Sequence, residues 1–134
     1  MALDPAARAL LDLMDELGLP EVGSLSPVET RTAFQALRDP DIVLADVAKA
    51  VDKDIEGVPC RIYTPGGDGP FGLLIWYHGG GWVIGSMDET DPVAREMCHR
   101  SGCMVVNVDY RLAPEHRFPA GVDDAIAVAR WVKE

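Results

Sequence analysis

An apolar run over residues 71–77, with Leu73-Leu74-Ile75-Trp76-Tyr77 at its heart, breaks at His78 into Gly79, Gly80 and Gly81, followed by Trp82. Consecutive apolar residues over that length fit a strand covered on both faces, near the middle of a sheet with helices on either side. At its end the main chain carries no side chains and can take turns closed to other residues. Bare N–H groups at the end of a buried strand can hold an oxygen that becomes negative during a reaction. Two plainer readings compete. One is a tight glycine turn beside a core histidine. The other, a dinucleotide loop, fits poorly, because the spacing is not Gly-x-Gly-x-x-Gly and no acidic residue stands where a ribose contact would need it.

The rest of the chain supplies a setting for that strand. Asp4-Pro5 starts a helix whose Ala6, Leu10, Leu13, Met14 and Leu17 share one face until Gly18 ends it. Residues 19–25 connect it to Ser26-Pro27-Val28-Glu29, a capping box that opens a second helix over 30–38 with Phe34 and Leu37 turned inward, closed by Asp39-Pro40. Two short helices bury little by themselves, so their apolar faces are expected to rest on later parts of the chain, as a lid or cap. Residues 43–55 turn to a β pattern, with Val47, Lys49 and Val51 on one face, and after Gly57 a second strand over 58–64 completes a hairpin. Residues 65–70 are a loop by composition. Beyond the glycines, Asp91-Pro92 starts a helix with Val93, Ala94, Met97 and Cys98 on one face and Gly102 at its end, and residues 103–108 form the next buried strand. Strand, helix and strand make a βαβ unit, expected to cross over right-handedly in a parallel sheet. A last helix over 119–133 presents Val122, Ala125, Ile126, Ala129 and Val132 as its core-facing stripe. The fold class is α/β.

With 134 residues, a net charge of -10 and 48% hydrophobic residues, the chain reads as a compact domain. Its 12 basic residues are scattered, which argues against a nucleic-acid or anionic-membrane partner and leaves a neutral or cationic small molecule. No apolar run reaches the length of a membrane span, and no secretory signal opens the chain, so the expected compartment is the cytoplasm. Cys60, Cys98 and Cys103 are an odd number and read as free thiols in the core or at helix ends. Cys98, His99 and Cys103 make too small a cluster to argue a metal site, and no cofactor is expected.

A second motif follows the next strand: Asp109-Tyr110-Arg111-Leu112-Ala113-Pro114-Glu115, then His116 and Phe118-Pro119-Ala120, with Asp123 and Asp124 beyond. Together with His78-Gly79-Gly80-Gly81, at this separation and with a helix between, it resembles the hormone-sensitive-lipase-like branch of the α/β-hydrolases. The resemblance runs from the first helices to Glu134. It implies two cap helices over 1–40, and over 41–134 the N-terminal part of a hydrolase core: the hairpin, the βαβ unit of a mainly parallel sheet and a further helix, with the sheet incomplete. It also implies that the N–H groups of Gly80 and Gly81 form an oxyanion hole for an ester carbonyl, each worth about 3–4 kcal/mol of barrier. Gly79 gives the turn its freedom, and His78 braces the loop without acting as a base. Trp82 lines the acyl or alcohol pocket or packs the loop. Asp109, Tyr110, Arg111 and Glu115 support the motif, Arg111 and Glu115 as a hydrogen-bonded pair. Asp123 and Asp124 favour a helix N-terminus, and Asp91 and Arg95 act as a cap and a bracing charge.

Two departures qualify that picture. Thr90 stands where such esterases often have His, which touches only how its loop is braced. Acyl transfer also needs a serine on a sharp strand-to-helix turn, with a base and an orienting acid. No Gly-x-Ser-x-Gly is present, and Ser24, Ser26, Ser86 and Ser101 lie in other contexts. In the family the whole triad follows the point where this sequence stops. The expectation is therefore the N-terminal part of a carboxylesterase acting on a small-molecule ester. Such a part would be inactive alone, leave residues 71–77 with an unpaired edge, and be a truncated product or one piece completed by a C-terminal polypeptide or homo-oligomer. The alternative is a non-catalytic ligand-binding or interaction module with a hydrolase-like pocket.

Overall fold

The computed structural model describes residues 3–18, 23–36 and 38–133. The expectations for Leu37, for Glu134 and for the side chain of Leu10 fall outside them. The elements run α1 (Pro5–Glu16), α2 (Pro27–Ala36), β1 (Lys49–Ile55), β2 (Val58–Thr64), β3 (Leu73–Tyr77), α3 (Asp91–Ser101), β4 (Met104–Val108) and α4 (Ala120–Lys133).

The sheet is ordered β1-β2-β4-β3. β1 and β2 form the expected hairpin, β2 pairs antiparallel with β4, and β3 lies parallel to β4 with Tyr77 opposite Val108. Alternation divides the core between two helices. From β2 and β4, Cys60, Val106 and Val108 join Val128 and Trp131 of α4 on one face, whereas Tyr63 and Val105 join Ala94 and Cys98 of α3 on the other. β4 is thus the strand covered on every side.

Three expectations change. β3 was placed in the middle of the sheet, but β4 holds that position, and β3 pairs with β4 alone among the described residues, leaving Leu73 41% exposed. The open edge expected for it is found. The β pattern of 43–55 yields a strand from Lys49, because β2 ends at Thr64 and the residues before Lys49 have no partner beyond it. Of the stripe expected on α4, Val132 packs against the core, but Val122, Ile126 and Ala129 are exposed. Asp124 and Val128 are buried and Val122 and Ile126 exposed, since α4 turns residues four apart onto the sheet and leaves the flanking line outward.

Both N-terminal helices form, the second over Pro27–Ala36 where 30–38 was expected, with Asp4 Oδ1 accepting from the Ala6 N–H at 2.8 Å and the Ser26–Glu29 capping box closed in both directions. Their apolar faces, however, find no cover among the described residues. Leu13, Met14, Leu17 and Phe34 are exposed, because both faces of the sheet are taken by α3 and α4.

Asp91, expected as a helix cap, is instead the first residue of α3, with Thr90 at the N-cap position and no side-chain capping bond. It is 9% exposed and accepts from Tyr63 Oη at 2.7 Å, Arg95 Nε at 2.7 Å and Arg61 Nη1 at 3.2 Å. Burial alone would raise its pKa, but the bonds from Tyr63, Arg95 and Arg61 outweigh burial and leave it below the ordinary carboxylate value. A carboxyl depressed in the fold contributes stability above its unfolded pKa of about 3.9 and loses it as pH falls through the folded value. Asp91→Asn should cost about 2 kcal/mol in urea unfolding at pH 7. Below about pH 4 its melting temperature should fall less steeply than that of the parent.

Candidate active site

Parallel pairing brings the loops after β3 and β4 to the same edge. The loop after β3 turns on Gly80, whose φ of +127° suits glycine and whose carbonyl accepts from the N–H groups of Val83 at 3.1 Å and Ile84 at 3.0 Å. A Cβ at Gly80 would lie 2.0 Å from the Ile84 carbonyl oxygen. Trp82 continues the turn at φ +61°, which costs a non-glycine residue about 1–2 kcal/mol. Its carbonyl is held by the Ala113 N–H at 2.8 Å. Gly79, expected to give the turn its freedom, has no positive φ, and a Cβ there would meet nothing within 4 Å. Gly85 is the demanding position that motif reading missed: at φ +100°, its Cβ would come within 2.2 Å of His78 Nδ1.

The N–H groups of Gly80 and Gly81 donate to no acceptor among the described residues. Gly81 N–H shares a peptide unit with Gly80 C=O. In a trans peptide the two point opposite ways, so the bonds that hold the carbonyl aim the N–H away from Val83 and Ile84.

His78 is 3% exposed and stacks on Tyr110, ring centroids 4.4 Å apart. Its Nδ1 lies 2.8 Å from the Gly79 carbonyl oxygen, which can only accept, so Nδ1 carries the proton. Tyr110 Oη donates to the His78 carbonyl at 2.6 Å, and burial pushes its pKa up. These contacts lock the histidine into the loop.

Asp109 and Thr90 brace the neighbouring turn. Asp109 Oδ1 accepts from the Met87 N–H at 2.8 Å, and Thr90 Oγ1 donates to the Ser86 carbonyl at 2.9 Å. The expected Arg111–Glu115 pair does not form. Arg111 instead grips Asp124 through its backbone N–H at 2.9 Å and its guanidinium, with Nη2 at 2.6 Å. Asp124 is 4% exposed. Burial would raise its pKa, but the Arg111 bonds win and leave it below the ordinary value. It is a buried anchor, not a charge for the helix N-terminus. Glu115 turns the other way to Arg31 of α2, with both carboxylate oxygens at 2.8 Å from guanidinium nitrogens, and that hydrogen bonding holds its pKa at about 2. Partners 84 residues apart leave no mark on local sequence.

A cleft of about 420 Å³ opens beside the glycines, walled by Tyr77, Trp82, Tyr110, Val122, Ala125 and Ile126. Val122, Ala125 and Ile126 of the stripe expected in the core therefore line this cleft instead. Tyr77 Oη donates to the Ala125 carbonyl at 2.8 Å, fixing α4 against the end of β3. No serine or cysteine lines the cleft. Ser26 caps α2, Ser86 Oγ accepts from the Glu89 N–H, and Ser101 Oγ donates to the Met97 carbonyl. Cys60 and Cys98 are buried in the core. The arrangement sets two N–H groups beside an apolar cleft, and among the described residues that line it none is a serine or cysteine. Among the described residues no His, Cys, Asp and Glu cluster is placed to hold a metal, and no helix is long and apolar enough to cross a membrane.

A family model described as alpha/beta hydrolase fold matches residues 74–134. The carboxylic ester hydrolase LipN of Mycobacterium tuberculosis is 34% identical over 137 residues, covering 98% of this chain and 36% of LipN. An ester-hydrolase from the metagenome of Lake Arreo, solved with a bipyridine phosphonate derivative, superposes with a TM-score of 0.87 at 38% identity, over 98% of this chain and 45% of that one. An esterase from the bacterial hormone-sensitive lipase family gives a TM-score of 0.77 at 29% identity, over 98% and 43% respectively. The chain spans less than half the length of each.

The glycine geometry separates three substitutions. Gly79→Ala should change stability by no more than about 1 kcal/mol. Gly80→Ala and Gly85→Ala should each cost at least about 2 kcal/mol, and Gly85→Ala should also shift the ring resonances of His78 and Tyr110. Denaturant titration and NMR check both.

Proposed function

The chain belongs to the alpha/beta hydrolase fold family, and from that premise we propose that it supplies the oxyanion-binding half of a carboxylic ester hydrolase. The observation that carries this reading is the pair of N–H groups at Gly80 and Gly81, which meet no acceptor among the described residues, at the end of β3 beside an apolar cleft. An ester seated there places its carbonyl oxygen on the two N–H groups. Its acyl or alcohol group lies against Trp82, Val122 and Ile126. As a nucleophile adds, the carbonyl oxygen gains negative charge and the N–H bonds strengthen in the transition state, which is where binding accelerates the step. The nucleophilic serine, its base and its acid belong in this reading to the remainder of the protein. His78 acts as a brace, and Asp109, Tyr110, Arg111 and Glu115 act as supports.

Residues 1–40 are the cap and 41–134 the first part of the core. The open edge of β3 is the place where a complementing C-terminal polypeptide, or another copy, would add a strand. A reducing compartment such as the cytoplasm suits three free thiols.

A second reading is favoured by one observation, the absence of any serine or cysteine from the residues lining the cleft. It makes the protein a ligand-binding module with a hydrolase-like pocket.

Assay with p-nitrophenyl acetate and butyrate separates the two. The 134-residue chain alone should show neither burst nor turnover, and the complete protein should turn over until a serine-directed phosphonate stops it. In the complete protein Gly80→Pro, which deletes one N–H and cannot keep the turn's φ of +127°, should lower kcat by at least about 100-fold. A complete protein that binds such esters without cleaving them would establish the binding module.

A further inference from the structure

We propose that Arg31 is a positioning residue, a strut from the cap helix α2 that sets the direction of the Gly81 N–H without touching substrate. The proposal rests on the esterase reading for its kinetic consequence and on geometry for its mechanism.

One guanidinium makes four bonds. Nε donates to the Val83 carbonyl at 2.8 Å, Nη2 to the Ala113 carbonyl at 2.8 Å, and Nη1 and Nη2 to the two Glu115 oxygens at 2.8 Å each. The first two acceptors lie on different loops, one after β3 and one after β4. A continuous chain of rigid peptide units leads from there to the oxyanion site. Val83 C=O and Ile84 N–H belong to one planar unit, so holding the carbonyl fixes the N–H. That N–H donates to Gly80 C=O at 3.0 Å, which in turn belongs to the same unit as Gly81 N–H. Ala113 closes the second side, its carbonyl on Arg31 and its N–H on the Trp82 carbonyl at 2.8 Å.

The residue type follows from the task. A guanidinium presents five donors in a planar fork, whereas an ammonium presents three from one point and cannot span two carbonyls and a carboxylate in these directions. The Arg31 side chain is 25% exposed, although no residue of α2 is buried. The helix therefore meets the core through this side chain rather than through an apolar face. Displacing the cap would release Val83, and with it the turn.

The test uses the complete protein with Arg31→Lys and Arg31→Ala, and Arg8→Ala as a control, since Arg8 pairs with exposed Asp12 on α1. Arg31→Lys should lower kcat on p-nitrophenyl butyrate by about 10- to 100-fold, with KM moving less than about threefold. Arg31→Ala should lower it further, and Arg8→Ala should leave both constants unchanged. If Arg31 only anchors the cap, both Arg31 variants will melt earlier with kcat intact, and the proposal is overturned. Amide NMR gives a readout that needs no turnover. The Gly81, Val83 and Ile84 N–H resonances should shift in Arg31→Lys and stay in place in Arg8→Ala, and unchanged resonances in Arg31→Lys overturn the strut. A complete protein that cleaves no ester would remove the esterase reading alone, with the amide shifts still deciding for or against the strut. Should Arg31→Ala fail to fold, Arg31→Lys carries both measurements.

Discussion

The parallel pairing of β3 with β4 is the constraint on which the site depends. Two parallel strands in register, Tyr77 opposite Val108, end at the same edge, so the segments that leave them emerge as neighbours. An antiparallel pair would have sent them to opposite ends of the sheet. Once adjacent, the loops satisfy one another: Tyr110 Oη takes the His78 carbonyl, and the Ala113 N–H takes the Trp82 carbonyl. Backbone groups that would otherwise be left without partners in a half-buried turn are paired across the two loops. Among the described residues the N–H groups of Gly80 and Gly81 are not taken up in this pairing, and it is on them that the proposed reading rests.

Each helix that covers the sheet is tied at its start by a buried carboxylate. Asp91 opens α3 and takes Arg61 from β2, while Asp124 lies in the first turns of α4 and takes Arg111 from the loop after β4. Burying such a pair gains little net stability, because desolvating both charges offsets much of their attraction. What it does supply is placement. An apolar helix face can slide by a turn on an apolar sheet at small cost, whereas a carboxylate that has lost its guanidinium is left charged and dry. With α4 fixed by Asp124, Val122 and Ile126 come to rest on the cleft, and Gly121 packs close to the Arg111 carbonyl and the Tyr110 ring.

How far the sequence disclosed this depended on how local the cause was. The hairpin strand over 58–64, the Ser26–Glu29 capping box and the βαβ unit were legible because alternation, capping and helix ends are set by residues a few positions apart. The glycine turn after β3 was legible as a motif, but which glycine it needs was not: the motif points to Gly79, while the close approaches are at Gly80 and Gly85. Asp124 looked like a helix-start acid and Glu115 like the partner of Arg111, since nothing in a local window shows that Arg31 reaches across 84 residues. The facing of α4 failed for a related reason. The line that meets the sheet carries the charged Asp124 beside Val128, so apolar periodicity pointed to the neighbouring line, and it cannot tell a line that meets the sheet from one that walls a cleft.

The polar character of these links has a physical reason. Hydrophobic contact is without direction, and it can bring a loop to a place without fixing which way a peptide plane faces. Holding an oxyanion is a question of direction, because a hydrogen bond weakens steeply once its angle falls below about 120°. A turn built on residues with positive φ is also under strain and will relax unless its neighbours hold it. Around Gly80 and Gly81 that task falls to carbonyls and N–H groups gripped in series, with Arg31 at the outer end and Tyr110 at the inner one. Glu115 keeps Arg31 in place, and a carboxyl whose pKa is held at about 2 stays charged through the whole range in which a serine nucleophile with a histidine base would work. In the proposed reading, the Arg31–Glu115 end of that support therefore stays ionised while the chemistry it would serve runs its course.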